Sequence, residues 1–512
     1  MTYNYKEERL VDTSRTEYVK KNILYGYIST VISSVFSIIT RTIFVYVLGA
    51  EYLGVSGLFS NVLGVLSFTE LGIGSAIVFS LYKPIAENDN EKIKSLISLY
   101  KRAYRLIAIV VTMIGLIIIP FLDYLVNTDI PMSEIRVYYI IFLFNTVSSY
   151  FVTYKTSYVS ALQKEYIVTN TTTIGTIVTN VIQIIFLVAG GNYLSYLLIA
   201  AIIGLLQKIL TVMYLNKKFP ILTENDVKPL DTETKNIIWK NVKALIIHKI
   251  GDVSVNQTDN IIISAFVNTT AVGLLSNYTT LNTLVSMFTN RFFSSFTASF
   301  GNMLAKESVE KQKKIFDIYD LLGFWIYGFV LIAFVTLSQP FVQLWLGKKL
   351  LLDNVTMILY FVSLYLAGMT FIPYNFKVAA GRFNEDKWVA FCQAVVNLVV
   401  SIIAIKLIGL PGVFVGTIIS RMIVVIVRPY IVYKYVLRQS VLYYYIRLTI
   451  RTIIAFGICF VMWQIKRAIL VNVTIVSFVI ICFLTALIPN LLFILIFART
   501  DAFKGIIEKI RK

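Results

Sequence analysis

Histidine occurs once in this chain, at His248, and cysteine three times, at Cys392, Cys459 and Cys482. A single imidazole excludes a histidine-rich metal site, and the cysteines stand inside apolar runs without metal-ligand spacing. No G-x-x-x-x-G-K-S/T, H-E-x-x-H or G-x-S-x-G stretch is present, so the signatures of nucleotide hydrolysis, zinc proteolysis and an α/β-hydrolase nucleophile are missing. Charge is scarce too. Asp, Glu, Lys and Arg make up 15% of the 512 residues, against about a quarter in soluble domains.

Apolar sequence fills the space, with 57% of residues hydrophobic. Runs of roughly 20 such residues, the length that crosses a hydrocarbon core, recur along almost the whole chain. Fourteen candidate spans lie near 22–48, 55–82, 104–126, 136–160, 166–190, 193–215, 238–267, 271–299, 319–346, 353–380, 387–409, 411–436, 443–465 and 470–498. No stretch between them is long enough for a soluble domain. The expected class is an all-α polytopic membrane protein of about fourteen transmembrane helices.

The formal charge of +19 suggests nucleic acid until its distribution is examined. Connections such as "LNKKFPILTENDVKPLDTETKNIIWKNVK" and "AKESVEKQKK" alternate with basic-poor ones such as "GAEYLG", "AGGN" and "IGLPG". Counting span edges with their nearer side, roughly forty basic residues fall on one side and about six on the other, the pattern of a positive inside. The charge is therefore a topology signal, with both termini cytoplasmic and no nucleic-acid partner. Lys348–Lys349 and Lys466–Arg467 break the pattern. The first span has no small-residue cleavage site after it and reads as uncleaved. The closing "ARTDAFKGIIEKIRK" places Phe503, Ile506, Ile507 and Ile510 at the spacing of an interfacial helix.

The longest polar connection follows the sixth span. It divides the chain into an N-terminal lobe (1–216), a linker (217–237), a C-terminal lobe (238–440) and a closing segment with two further spans (441–512). A shift of 219 residues lays "KKNILYGYI" over "WKNVKALII", a weak repeat compatible with two parallel halves.

Polar stripes run through several spans. His248, Asp252, Asn256 and Asp259 are spaced 4, 4 and 3 along the seventh, which places them on one helical face beside Lys249. Thr30, Ser33, Ser34, Ser37, Thr40 and Arg41 line the first, and Thr169, Thr172, Thr173, Thr176, Asn180 and Gln183 the fifth. Glu70, Lys155, Arg291, Lys377 and Arg421 stand singly in others. Asp252, Asp259 and Arg41 together would cost roughly 8–10 kcal/mol against lipid, so they face one another or a wet cavity.

Structural readings compete at each position. Any one of these residues could hold two helices together by an ion pair. Glu70, in "SFTELGIGSA", suits the cap of a broken helix, and the Thr/Asn stripe suits interhelical hydrogen bonds. Lys377 can snorkel, Arg421 can join Arg428 as a topology anchor, and His248 can be structural.

The stretch from "KKNILYGYI" through "LGAEYLGVSGLF" and "ELGIGSAI" to "LYKPIA" resembles the N-terminal lobe of Wzx-type polysaccharide flippases. These belong to the multidrug/oligosaccharidyl-lipid/polysaccharide (MOP) exporter superfamily. "DNIIISAFVNTTAVGLLSNY" resembles the opening of the second lobe in the same family. The resemblance implies two six-helix lobes in a V around a central cavity, plus two C-terminal helices. It implies alternating-access transport of undecaprenyl-pyrophosphate-linked oligosaccharide across the bacterial inner membrane, for O-antigen or capsule, with no catalysis and no cofactor. Membrane lipids and the polysaccharide polymerase and chain-length machinery would be its partners.

A diphosphate suits guanidinium and ammonium groups. Arg41 and Arg291 lead, with Lys155, Lys377 and Lys249 behind them. Asp252, Asp259 and Glu70 would balance those charges or bind a coupling H⁺ or Na⁺, and Ser37, Asn256 and Asn180 would line the cavity. Two alternatives remain: a multidrug/cation antiporter of the same superfamily, and a membrane sugar polymerase or ligase. The short outer connections speak against the second.

Overall fold

The computed structural model describes residues 4–70, 73–224, 227–294, 297–382, 384–386 and 388–511. Within these, the side chains of 4–20, 68–69, 75, 237, 240–241, 243–256, 290–291, 294–299, 302, 305, 384 and 510–511 lie outside the description. Helices account for the secondary structure, with no strand among the described residues. This is the outcome a bilayer requires, because a helix satisfies its own backbone groups.

The chain divides into two compact units, Met1–Val253 and Ser254–Lys512. The first holds α1 (Asn4–Leu48), α2 (Ala50–Leu66), α3 (Ile73–Ala86), α4 (Asn90–Ile118), α5 (Leu122–Leu125), α6 (Met132–Ala161), α7 (Glu165–Val188) and α8 (Tyr193–Lys218). The boundary falls inside α9 (Thr232–Phe266), not at the 217–237 connection. The second unit continues with α10 (Thr269–Ser294), α11 (Thr297–Lys306), α12 (Val309–Leu346), α13 (Asn354–Met369), α14 (Phe371–Ala379) and α15 (Val389–Ile408). It ends with α16 (Pro411–Val432), α17 (Leu442–Ile469), α18 (Ile475–Phe497) and α19 (Asp501–Arg511).

Among the described residues, eleven helical stretches are long and apolar enough to cross a membrane. Every span read from the sequence coincides with helix, but the second, seventh and eighth are not among these eleven. The second is interrupted: α2 ends at Leu66, a 3₁₀ turn covers Ser67–Glu70, and α3 starts at Ile73. The seventh and eighth are α9 and α10, which carry polar stripes.

In the first unit, α1 packs along α7, where the Ser29 and Thr173 hydroxyls meet at 2.5 Å. In the fifth-span stripe, the Thr172 and Thr173 hydroxyls also bond back to the Val168 and Thr169 carbonyls of their own helix. The 217–237 connection is clipped to the start of α4. Lys228 pairs with Glu91 at 3.5 Å, Lys94 pairs with Glu224, and the Ser95 hydroxyl donates to the Lys228 carbonyl at 2.6 Å. The Thr234 N–H donates to Asp231 at 2.7 Å and holds that carboxyl below its usual range, which caps the start of α9.

The second unit has a continuous apolar core built from α9, α10, α12, α13 and α16–α18, including Tyr278, Phe324, Ile332, Met357 and Phe361. Of the last two spans, α17 is fixed to α12 by charge and α18 by a hydrogen bond from the Trp325 indole N–H to Asn490 at 2.8 Å. Arg451 of α17 bonds Asp320 of α12 at 2.6 Å, both less than 10% exposed, and Arg447 bonds Asp317 at 2.8 Å. The closing amphipathic segment differs from the interfacial expectation. α19 turns its apolar face onto α12, where Phe503 stacks on Trp325 and Lys509 sits 4.3 Å from the Tyr319 ring. Gly505 makes this possible, since a Cβ there would come within 2.5 Å of Ile318 Cδ1.

Candidate functional site

The buried polar groups of the second unit converge where α15 and α16 touch. Gly412 and Gly416, one turn apart on α16, carry no Cβ, and one there would strike the backbone of Ala404 and Ser401 on α15. The two backbones can therefore meet, the close approach that small residues permit in membranes. The contact sets Asn397 of α15 beside Thr417 of α16, with the Asn397 amide donating to the Thr417 hydroxyl at 3.1 Å. Asp259 of α9 completes the group, its Oδ2 3.1 Å from the same hydroxyl.

Proton bookkeeping at Thr417 is informative. Its single O–H can serve either Asp259 Oδ2 or the Val413 carbonyl, each 3.1 Å away. Ser401 donates to that same carbonyl at 3.1 Å, so the Thr417 proton is free for the carboxylate. Asp259 Oδ1 is buried and has no hydrogen-bond partner among the described residues. An orphaned carboxylate oxygen in a membrane protein is costly unless it takes up a proton or a cation. Asn397 Oδ1, 3.5 Å from the Thr258 hydroxyl, adds a second neutral oxygen. The carboxylate thus sits among neutral hydrogen-bonding groups from α15 and α16. No group of three or more His, Cys, Asp or Glu side chains assembles among the described residues.

Arg421 lies one turn beyond Thr417 on α16. It interacts electrostatically with Asp259 without a direct ion pair between them, and its guanidinium donates to the Ser363 carbonyl on α13. Arg421 also lines a cavity of ≈ 310 Å³ with Asn282, Ser286, Thr289, Tyr327 and Tyr365. The anchor role considered for it beside Arg428 is not what the structure gives. Arg428 instead joins Asp386 at 3.7 Å.

The other sequence candidates fall in separate places. Lys377 is 1% exposed and pairs with Asp386 at 2.5 Å, so the snorkelling alternative fails. Lys155 is buried against α8 through Asn216. Glu70 accepts a hydrogen bond from Tyr104 at 2.6 Å at the interruption of the second span, and Tyr100 stacks on Tyr104 at 5.3 Å. Arg41 of α1 interacts with Tyr196 of α8, Ser37 is exposed and Asn180 is half-buried. Arg291, Lys249, Asp252, Asn256 and His248 lie outside the described side chains.

Residues 19–300 match the family described as polysaccharide biosynthesis protein. The chain belongs to that family. A multidrug resistance MATE transporter of the MOP superfamily, inward-facing, superposes with a TM-score of 0.61 at 16% identity, over 77% of this chain and 92% of that one. The lipid II flippase MurJ gives 0.61 at 17% identity, over 93% and 99%. The Vibrio cholerae MATE transporter VcmN gives 0.56 at 14% identity, over 84% and 100%. No curated protein matches the chain. These similarities show that the chain has the fold of the MATE transporters and MurJ, and its long apolar helices together with the family match make it a multi-pass membrane protein.

Proposed function

We propose that this polysaccharide biosynthesis protein is a flippase. It carries undecaprenyl-pyrophosphate-linked oligosaccharide across the bacterial inner membrane by alternating access, for O-antigen or capsule, and is driven by a H⁺ or Na⁺ gradient. The family match over 19–300 supports the substrate class. The observation that carries the coupling is the orphaned Asp259 oxygen within the Thr417–Asn397 cluster. A carboxylate that must gain a positive charge to be comfortable in apolar surroundings can report an ion gradient to the helices around it. Each charge moved across the membrane potential contributes about 2.3 kcal/mol per 100 mV. Arg41, Arg291 and Arg421 are the guanidinium groups suited to the diphosphate.

The test is transport of lipid-linked oligosaccharide in proteoliposomes, with either gradient collapsed in turn. Asp259→Asn should lose the dependence on the effective gradient while remaining folded and inserted. Transport by the wild type that is indifferent to both gradients overturns the coupling. The same-superfamily alternative, a multidrug/cation antiporter, draws on the MATE likeness at the same TM-score as MurJ. Gradient-driven extrusion of a cationic dye, with no movement of lipid-linked sugar, would favour it.

A further inference from the structure

α12 has a charged hollow at each end, and the two are built differently. Near its start, a hollow of ≈ 700 Å³ is lined by Lys313, Lys504, Arg447 and Arg451. Four of its five cations have a carboxylate partner, Lys314 being the exception: Asp317 serves Arg447 and Lys313, Asp320 serves Arg451, and Asp501 serves Lys504 at 3.8 Å. At the far end, two adjoining hollows of ≈ 540 and ≈ 150 Å³ are both lined by Lys466 and Arg467 of α17 and by Gln339 of α12. No carboxylate among the described residues comes within salt-bridge distance of either cation. The one acid in the lining, Asp353, uses a carboxylate oxygen to cap Thr356 N–H at 2.8 Å.

Around these cations the lining offers donors. Lys466 rests over the Trp463 ring at 4.8 Å. Gln339 is spent on Tyr278 and the Leu352 carbonyl, whereas the side chain of half-buried Gln343 makes no hydrogen bond to the described residues. These cations, with Lys348 and Lys349 in the adjacent connection, are the ones that break the basic-inside pattern. Positive charge on that side opposes the orientation set by the rest of the chain, so retaining four such residues at one end of one unit asks for a ligand.

We propose that the Lys466–Arg467 hollow binds the phosphate of a lipid in the outer leaflet, with Arg467 as the forked donor, Lys466 as the point charge and Gln343 as a neutral donor. The ≈ 540 Å³ hollow is in the range of small-ligand sites. The phosphate comes either from an anionic phospholipid of that leaflet or from the diphosphate of the newly delivered lipid-linked sugar. Assignment to the outer leaflet rests on the basic-inside orientation of the sequence and on the membrane named in the proposed function.

The experiment uses the full-length protein in detergent and counts retained lipid by native mass spectrometry. Phosphatidylglycerol is the probe and phosphatidylcholine the control. Wild type is expected to retain phosphatidylglycerol about tenfold or more tightly than the Lys466→Gln/Arg467→Gln variant, since each interfacial cation is worth about 1 kcal/mol to an anionic lipid. The charge-preserving Lys466→Arg/Arg467→Lys variant should bind like wild type, which separates lost charge from lost folding. Competition by inorganic pyrophosphate identifies the diphosphate as the ligand, and its failure to compete identifies the phospholipid. Equal retention by wild type and the Gln variant overturns the proposal. Asp259→Asn should keep the phosphatidylglycerol while losing gradient-driven transport, so the two readings fail separately.

Discussion

At the scale of single residues, Thr417 decides how Asp259 is held. Its hydroxyl receives the Asn397 amide and gives its proton to Asp259, while Ser401 satisfies the carbonyl that would otherwise claim it. Thr417→Val keeps the shape and removes the donor. It should lower the melting temperature in detergent by the equivalent of about 1–3 kcal/mol, the cost of stranding a buried polar group. Thr417→Ser should change it little, and Thr417→Val combined with Asp259→Leu should recover most of the loss. A melting temperature unchanged in Thr417→Val would mean that the hydroxyl points to its own helix instead. Asp259 itself is legible in the sequence, as a carboxylate at helical spacing within a span. Its partner Thr417 is not, because that contact closes across 158 residues. A weak signal existed: Asn397 and Ser401 stand one turn apart in an otherwise apolar run, opposite Gly412 and Gly416. Lys377 was visible as a buried charge, but its partner Asp386 lies past a turn whose geometry no periodicity encodes.

At the scale of elements, the helices follow from length and hydropathy, and their fastening does not. The α12–α17 junction rests on Arg451–Asp320, a pair with 8% and 9% side-chain exposure. Removing one partner of such a pair strands the other, which costs about 3–5 kcal/mol, whereas replacing both by apolar residues is often neutral. Arg451→Met should therefore lower the melting temperature sharply, and Arg451→Met with Asp320→Leu should restore it. If the double variant is no better than the single one, the pair is not the fastening. The sequence alone does not pair Arg447 and Arg451 with Asp317 and Asp320, which lie 130 and 131 residues away. α19 is where the sequence reading differs from the structure. An amphipathic face has the same periodicity whether it meets lipid or protein, and only Gly505 against Ile318 decides for protein.

At the scale of the whole molecule, the architecture was legible because a bilayer leaves few solutions: helices, short connections, and charge sorted by side. Two compact units and the MOP-superfamily likeness agree with that reading. The interruption at 67–70 and the polar α9 and α10 are where it strained, and these are the segments that a hydropathy count alone passes over. Orientation is open to a direct measurement. A green fluorescent protein fused after Lys512 should fluoresce, as it does only in the cytoplasm, and alkaline phosphatase fused there should be inactive. The reverse result would invert the sidedness on which the outer-leaflet lipid site depends.

The glycine-to-backbone contact of α15 and α16 reaches back to biosynthesis. These helices are joined only through Gly409 and Leu410, with Gly409 at φ +70, and each screens polar atoms of the other from hydrocarbon. A nascent chain that released α15 alone into lipid would strand Asn397 and Ser401, so the two must leave the translocon as a preformed hairpin. The ribosome therefore has to finish α16 before α15 can safely depart.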